Sequence, residues 1–135
     1  MNDSGHADLE HTNILAKEFG IVFNQNCLNH VQDKQYENGA LYISKSDSIF
    51  KHTKKIYKKE LATISLTKPA KAHYKNNNGD VIMAISKIGK GTVFAVGDPW
   101  FYNEYIDNEI LPAEFENTKA ANDLAKWLLQ QVPEN

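Results

Sequence analysis

The chain has 135 residues, 41% of them apolar, and a formal net charge of −2. This length suits one domain, and this composition is typical of a folded globular chain rather than a disordered segment. All fifteen basic residues are lysines, and the absence of arginine together with the small net charge argues against a nucleic acid partner.

The first half of the chain predicts one helix followed by short strands. Residues 7–19 place Leu9, Ile14, Leu15 and Phe19 near one apolar stripe, as in an amphipathic helix, and Gly20 follows as a C-cap. A polar loop is expected over residues 24–38. The strands expected around it are residues 21–23, 39–44, 54–60 and 63–67. No pattern establishes the sheet order of residues 39–75.

The second half predicts a hairpin, an apolar strand and a closing helix. Asn77-Asn78-Gly79 separates residues 70–75 from 80–87, which is a strong hairpin signal. A second tight turn is expected at residues 88–91, and residues 92–96 predict a strand buried on both faces. Asn117 is the expected N-cap of a helix over residues 118–131. Its inner stripe is Ala120, Ala121, Leu124, Trp127 and Leu128.

The loop after the apolar strand is the first candidate site. Ligands bind beyond the carboxyl ends of strands in open α/β sheets, and Pro99 should hold Asp98 in extended geometry. Aromatic rings there can stack on a sugar while polar groups hydrogen-bond to it. Alternatively, Asp98 caps backbone amides and the aromatic side chains close the core. The candidate ligand-binding residues are Asp98, Trp100, Tyr102, Asn103, Glu104 and Tyr105.

The N-terminal segment is the second candidate site, with Asp3, Glu10 and His11 as its candidate ligand-binding residues. A carboxylate–imidazole pair can perform acid–base chemistry or bind a metal. The alternative is ordinary capping of a helix N-terminus by acidic and polar residues. His6 and His11 are five residues apart, whereas two ligands on one helix face need a spacing of four. The sequence therefore predicts no metal and no cofactor.

Cys27 is the single cysteine, so the chain forms no internal disulfide. It also lacks the small flanking residues of a nucleophile elbow, and we expect a structural or incidental thiol and no catalytic residue. No apolar run is long enough to cross a membrane, and the first residues do not have the pattern of a signal peptide.

Residues 2–21, residues 90–105 with Gly97-Asp98-Pro99-Trp100 at their centre, residues 111–115 and residues 120–129 suggest a family. They resemble the class I glutamine amidotransferase-like region at the C-terminal end of bacterial unsaturated rhamnogalacturonyl hydrolases, proteins of the glycoside hydrolase family 88/105 type. The resemblance implies an α/β fold with an amidotransferase-like (flavodoxin-like) sheet, flanking helices and a β-hairpin. Residues 1–135 would then form a single domain, the C-terminal part of a larger amidotransferase-like one.

The resemblance also implies a function. Hydrolase activity in that family lies in a separate (α/α)₆ barrel, and the amidotransferase triad is missing here. The chain would therefore be a non-catalytic accessory domain of pectin degradation with a carbohydrate ligand, in the periplasm or outside the cell. One alternative is a glycoside hydrolase-related enzyme using Asp98, Glu104, Glu10 and His11 as an acid–base cluster. Another is a structural remnant without a ligand.

The family has a strand running into the Asn2-Asp3-Ser4-Gly5 turn, whereas this chain begins at Met1. We therefore expect a sheet that is incomplete on its N-terminal side. Such a sheet exposes an edge and an apolar helix face, which predicts a homodimer across the gap or a rearranged sheet edge.

Overall fold

The helices and strands follow the order expected from the sequence. The computed structural model describes residues 7–98, 102, 105–106 and 109–132. A 3₁₀ turn over Tyr36–Gly39 precedes the second strand. The elements are α1 (Leu9–Glu18), β1 (Ile21–Phe23), β2 (Ala40–Tyr42), β3 (Lys55–Tyr57), β4 (Ile64–Leu66), β5 (Lys71–Lys75), β6 (Val81–Ile88), β7 (Gly91–Val96) and α2 (Asn117–Gln130).

Capping residues set the ends of α1. The Asp8 side chain accepts a hydrogen bond from the backbone N–H of His11 at 3.0 Å, which satisfies a free amide of the first turn. After Phe19, Gly20 has a φ of +74°, and a Cβ there would lie 2.3 Å from the carbonyl oxygen of Thr67. Glycine is therefore required at this helix end both by conformation and by space.

The chain divides into two compact units. The first draws on the described residues of 1–28, 60–99 and 132–135, and the second on those of 29–59 and 100–131. In the first unit, β5, β6 and β7 form an antiparallel sheet in that order, and β1 pairs antiparallel with β4. The core of this unit contains Ala16, Ile21, Ile64, Ala84 and Ala95.

The predicted hairpin and the second predicted tight turn are both confirmed. Gly79 closes the turn between β5 and β6 with a φ of +87°, and Gly89 closes the turn between β6 and β7 with a φ of +57°. These positive dihedrals are the reason for glycine at both turns.

The expectation that residues 92–96 are buried on both faces is wrong. Ala95 is the one buried residue of β7, while Ile82, Met83 and Ala84 in β6 are at most 1% exposed. The cause is position, because β6 is the middle strand of three and β7 lies at the edge of this sheet. An apolar strand sequence does not distinguish a central strand from an edge strand.

In the second unit, β2 and β3 pair antiparallel with Leu41 opposite Ile56. The core of this unit surrounds Tyr57, which is 2% exposed and packs edge-on against Tyr36 and Phe115.

The prediction that Asn117 caps α2 is wrong. Glu116 holds the N-cap position and Asn117 is the first helical residue, because its side chain is engaged by β3 instead.

The general α/β class is confirmed, since two helices accompany seven strands among the described residues. Every strand pair in the described residues is antiparallel, so a flavodoxin-like sheet is not shown. Neither described helix has the length and apolar character needed to span a bilayer.

Candidate functional site

Three of the predicted site residues lie in the first unit. Glu10 and His11 are exposed on the first turn of α1, and Asp98 follows β7 and is 2% exposed. His11 contacts Asp8 twice, through its backbone N–H and through Nδ1, which lies 2.6 Å from Oδ2. These hydrogen bonds, the backbone bond foremost, lower the pKa of Asp8. Their geometry is that of a capped helix N-terminus.

Two further predicted residues lie in the second unit. The Tyr102 hydroxyl donates a hydrogen bond to the carbonyl oxygen of Ala121 at 3.1 Å, and burial raises the pKa of Tyr102. The Tyr105 ring packs against Tyr57 with centroids 5.0 Å apart. Tyr105 therefore contributes to packing, whereas Tyr102 is 55% exposed and bonded to α2 through its hydroxyl. The other predicted residues, Asp3, Trp100, Asn103 and Glu104, lie outside the described residues, so the ligand-binding role of the whole set stays a prediction.

An apolar groove of about 310 Å³ lies in the first unit. Residues of α1, β1 and β7 line it. Four consecutive residues of β7 contribute, although alternate residues of a strand point to opposite faces. The groove therefore runs along the edge of β7. Its lining residues are Thr12, Leu15, Ala16, Phe19, Ile21, Phe23, Val93, Phe94, Ala95 and Val96.

The backbone of β7 has two differently placed sides. The N–H of Gly97 donates to the carbonyl oxygen of Ile82 in β6 at 3.2 Å. Because backbone direction alternates along a strand, Thr92 and Val96 turn their N–H and C=O groups away from β6. No described strand pairs with that side of β7.

The edge of β1 that faces away from β4 is closed by a side chain. Asn13 of α1 donates from Nδ2 to the carbonyl oxygen of Phe23 at 2.9 Å and accepts from its N–H at 2.8 Å. The amide thereby satisfies both backbone groups, as a neighbouring strand would. This leaves the β7 side of the groove as the place where an added strand could pair.

In the sheet of β5, β6 and β7, the other edge strand, β5, is protected by charge. Lys71 and Lys75 stand at the two ends of β5 and are exposed. Lysines on an edge strand discourage pairing with another chain. Residues 92–96 contain no charged residue, so β7 lacks this protection.

Of the residues that line the groove, the sequence pattern placed Leu15 and Phe19 on the apolar stripe of the first helix but not in a site. The buried residues of that helix are Leu9 and Ala16, whereas Ile14 and Leu15 are 65% and 66% exposed. The signal for the groove that the sequence offered was an apolar stripe on α1 wider than the core can cover. Among the described residues, no group of three or more His, Cys, Asp or Glu side chains is arranged to hold a metal ion.

Comparison with known proteins identifies a fold but no family. No protein-family model and no curated sequence matches the chain. Among solved structures, it is similar to one titled "mmIFT52 N-terminal domain", with a TM-score of 0.64 and 18% identity over 87% of this chain. The match covers 57% of that chain's length. At this identity the likeness concerns the fold alone.

This comparison corrects the resemblance drawn from the sequence. The structural neighbour is the N-terminal domain of the intraflagellar transport protein IFT52, not an amidotransferase or a glycoside hydrolase. The relationship to rhamnogalacturonyl hydrolases is therefore wrong, and so is the function in carbohydrate degradation inferred from it. The motifs behind it are short, and a match of short motifs carries a risk of false positives.

Proposed function

We propose that this chain is a protein-assembly domain of the kind represented by the IFT52 N-terminal domain, and that two copies associate through the groove beside β7. The observation that carries the proposal is an apolar groove with a strand edge along one wall. Such an edge binds a further strand through backbone hydrogen bonds, with side-chain pockets adding affinity.

The likeness in fold supports a role in assembly. It extends over 87% of this chain, and the neighbour's name assigns it to a transport system rather than to an enzyme class. We infer that a domain of such a system works through contacts with other protein chains. The proposal takes over this general role and neither the neighbour's partners nor its cellular location.

A second copy is the occupant that the charges favour. In an antiparallel pair around a two-fold axis, Thr92 of one copy lies opposite Val96 of the other, and the same contact repeats by symmetry. Uncharged β7 strands can approach in this way. Pairing through β5 would instead bring Lys71 and Lys75 of two copies together, and like charges opposite each other are unfavourable.

Leu15 is the side chain expected to gain most from association. It lines the groove and is 66% exposed. Full burial of a leucine contributes roughly 1.5–3 kcal/mol, and a symmetric dimer buries it twice. Ile14 is equally exposed at 65% but does not line the groove, which makes it a matched control.

Sedimentation equilibrium over a wide range of concentrations tests the proposal. The unmodified chain should form dimers, Leu15→Glu should be monomeric, and Ile14→Glu should still dimerise. Circular dichroism of each variant checks that the fold is intact. A chain that stays monomeric at every concentration, or dimers equally sensitive to both substitutions, would contradict self-association through the groove.

A backbone variant tests the strand edge separately from the apolar contact. The N–H of Thr92 turns away from β6, so Thr92→Pro removes an outward donor and leaves the β6–β7 hydrogen bonds in place. The variant should fold and fail to dimerise. A folded Thr92→Pro chain that dimerises as strongly as the unmodified one would show that the edge of β7 is not the contact.

A further inference from the structure

A second surface feature lies in the second unit, where a cleft of about 180 Å³ separates α2 from a turn. The α2 wall consists of Asp123, Lys126, Trp127 and Gln130, which recur at helical spacing on one face. The opposite wall is formed by Ser48, Ile49, Lys51 and His52.

Asp123 fastens the turn to the helix. Its side chain is 5% exposed. Its Oδ2 accepts hydrogen bonds from the N–H of His52 at 2.8 Å and from the hydroxyl of Thr53 at 3.1 Å, while Oδ1 lies 2.7 Å from Nδ1 of His52. Burial acts to raise the pKa of Asp123, but the hydrogen bonds outweigh it and hold the pKa below its usual value. Asp123 is therefore ionised at neutral pH.

An ionised carboxylate has no proton to donate, so Nδ1 of His52 must carry the proton of this hydrogen bond. The ring is thereby fixed in orientation, with Nε2 on its opposite side. The His52 side chain is 73% exposed, which leaves the imidazole accessible from the cleft that it lines. The same arrangement of carboxylate and imidazole orients histidines that contact ligands in many proteins.

The charges that line the cleft favour an anion. Lys51 and Lys126 are both exposed and contribute two positive charges, whereas the one carboxylate, Asp123, is already engaged by three hydrogen bonds. Trp127, which is half-buried, supplies apolar surface beside the lysines. A ligand suited to these walls carries a negative head group on a small apolar body.

We propose that this cleft is a binding site for a small organic anion, held by Lys51 and Lys126 with its apolar part against Trp127 and beside the ring of His52. The volume equals that of about six waters at ~30 Å³ each, which suits a ligand of roughly ten non-hydrogen atoms. Benzoate is a probe with these properties.

Binding is favoured over nucleophilic catalysis at this site. Ser48 lines the same cleft as the His52–Asp123 pair, but within the described residues no hydrogen bond joins its hydroxyl to His52. An activated serine requires that hydrogen bond.

Titration of the full chain with sodium benzoate, followed by NMR, tests the site. The ring protons of His52 and the indole N–H of Trp127, assigned with Trp127→Phe, should shift together and saturate. Benzyl alcohol has a similar shape but no charge and should leave both signals in place. Absence of saturable shifts, or equal shifts with benzyl alcohol, would overturn the proposal.

Charge substitutions locate the site. Lys51→Gln and Lys126→Gln should each weaken benzoate binding roughly two- to fivefold, the range expected for exposed ion pairs. Lys119→Gln is the matched control, because Lys119 is exposed on the same helix but does not line the cleft. Equal weakening by all three substitutions would indicate that benzoate is attracted non-specifically by positive charge, and would exclude the site. Since none of these residues lies in the groove, this outcome is independent of self-association.

Discussion

Asn117 hydrogen-bonds to both backbone groups of Tyr57. Its Oδ1 accepts from the N–H of Tyr57 at 2.7 Å, and its Nδ2 donates to the carbonyl oxygen at 3.0 Å. Both residues are 2% exposed. Asn13 and Phe23 form the same contact in the first unit. In each case one helical asparagine supplies the two hydrogen bonds that a neighbouring strand would otherwise make.

Asn117→Ala should lower the free energy of unfolding by about 2–4 kcal/mol. The substitution leaves a buried N–H and a buried C=O without partners, and each unsatisfied group costs ~1–3 kcal/mol. Urea denaturation measures the change. Asn13→Ala, in a part-buried contact, should have a smaller effect, and an effect as large as that of Asn117→Ala would contradict the dependence on burial.

Gly97→Ala should be strongly destabilising because two backbone segments meet at this glycine. The N–H of Ala62 donates to the carbonyl oxygen of Gly97 at 2.7 Å, and a Cβ on Gly97 would lie 1.7 Å from the carbonyl oxygen of Ala62. We expect a loss of roughly 2–4 kcal/mol, since the overlap is with backbone that cannot rotate away.

Gly91→Ala is the control for that prediction. The nearest atom to a Cβ at Gly91 is the carbonyl oxygen of Ile88 at 3.4 Å. Thermal unfolding should therefore show a change within about 1 kcal/mol. Similar losses at Gly91 and Gly97 would show that the close approach to Ala62 is not the cause.

Ser86→Ala should leave stability unchanged or raise it by up to about 1 kcal/mol. Ser86 is 1% exposed in β6, and its hydroxyl has no hydrogen-bond partner in the described part of the chain. Removing a buried hydroxyl without a partner relieves its desolvation cost. Thr53→Val is the contrasting change, because the Thr53 hydroxyl donates to Asp123. Chemical denaturation should show a loss there, and a loss of equal size at Ser86 would contradict the assignment.

Asp123 should make stability depend on acid pH. Its pKa in the folded state is lowered by hydrogen bonds from His52 and Thr53 against the opposing effect of burial. The unfolded chain therefore binds a proton more readily, so this stabilisation is present above the usual aspartate pKa of about 4 and is lost as pH falls through the lower folded value.

Urea titrations between pH 5 and pH 3 measure this dependence. The difference in unfolding free energy between the unmodified chain and Asp123→Asn should shrink as pH falls. A difference that stays constant would show that the carboxylate is not stabilised by its contacts.

Much of the fold could be predicted from local patterns. The two glycine turns, the presence of helix α1 and its glycine end follow from residues that are neighbours in the chain, and the structure confirms them. The features that were predicted wrongly depend on contacts with residues that are distant in the sequence. Residues 92–96 were expected to be central because their composition is apolar, whereas the position of β7 depends on what pairs beyond it.

The candidate sites show the same division. The helix-start contacts of His11 arise within one turn, and N-capping was already an alternative in the sequence. His52 and Asp123 are separated by 71 positions. No sequence motif around either residue predicts a contact with the other. The groove likewise needs α1, β1 and β7 together.

The sequence by itself determined the local elements, because turn dihedrals, helix caps and hydrophobic period depend on interactions within a few residues. Only the tertiary structure decided that β7 is an edge strand, that Asn117 pairs with Tyr57 instead of capping α2, and that Asp123 orients His52. These features arise from contacts between distant segments, which form only when the packed core brings those segments together.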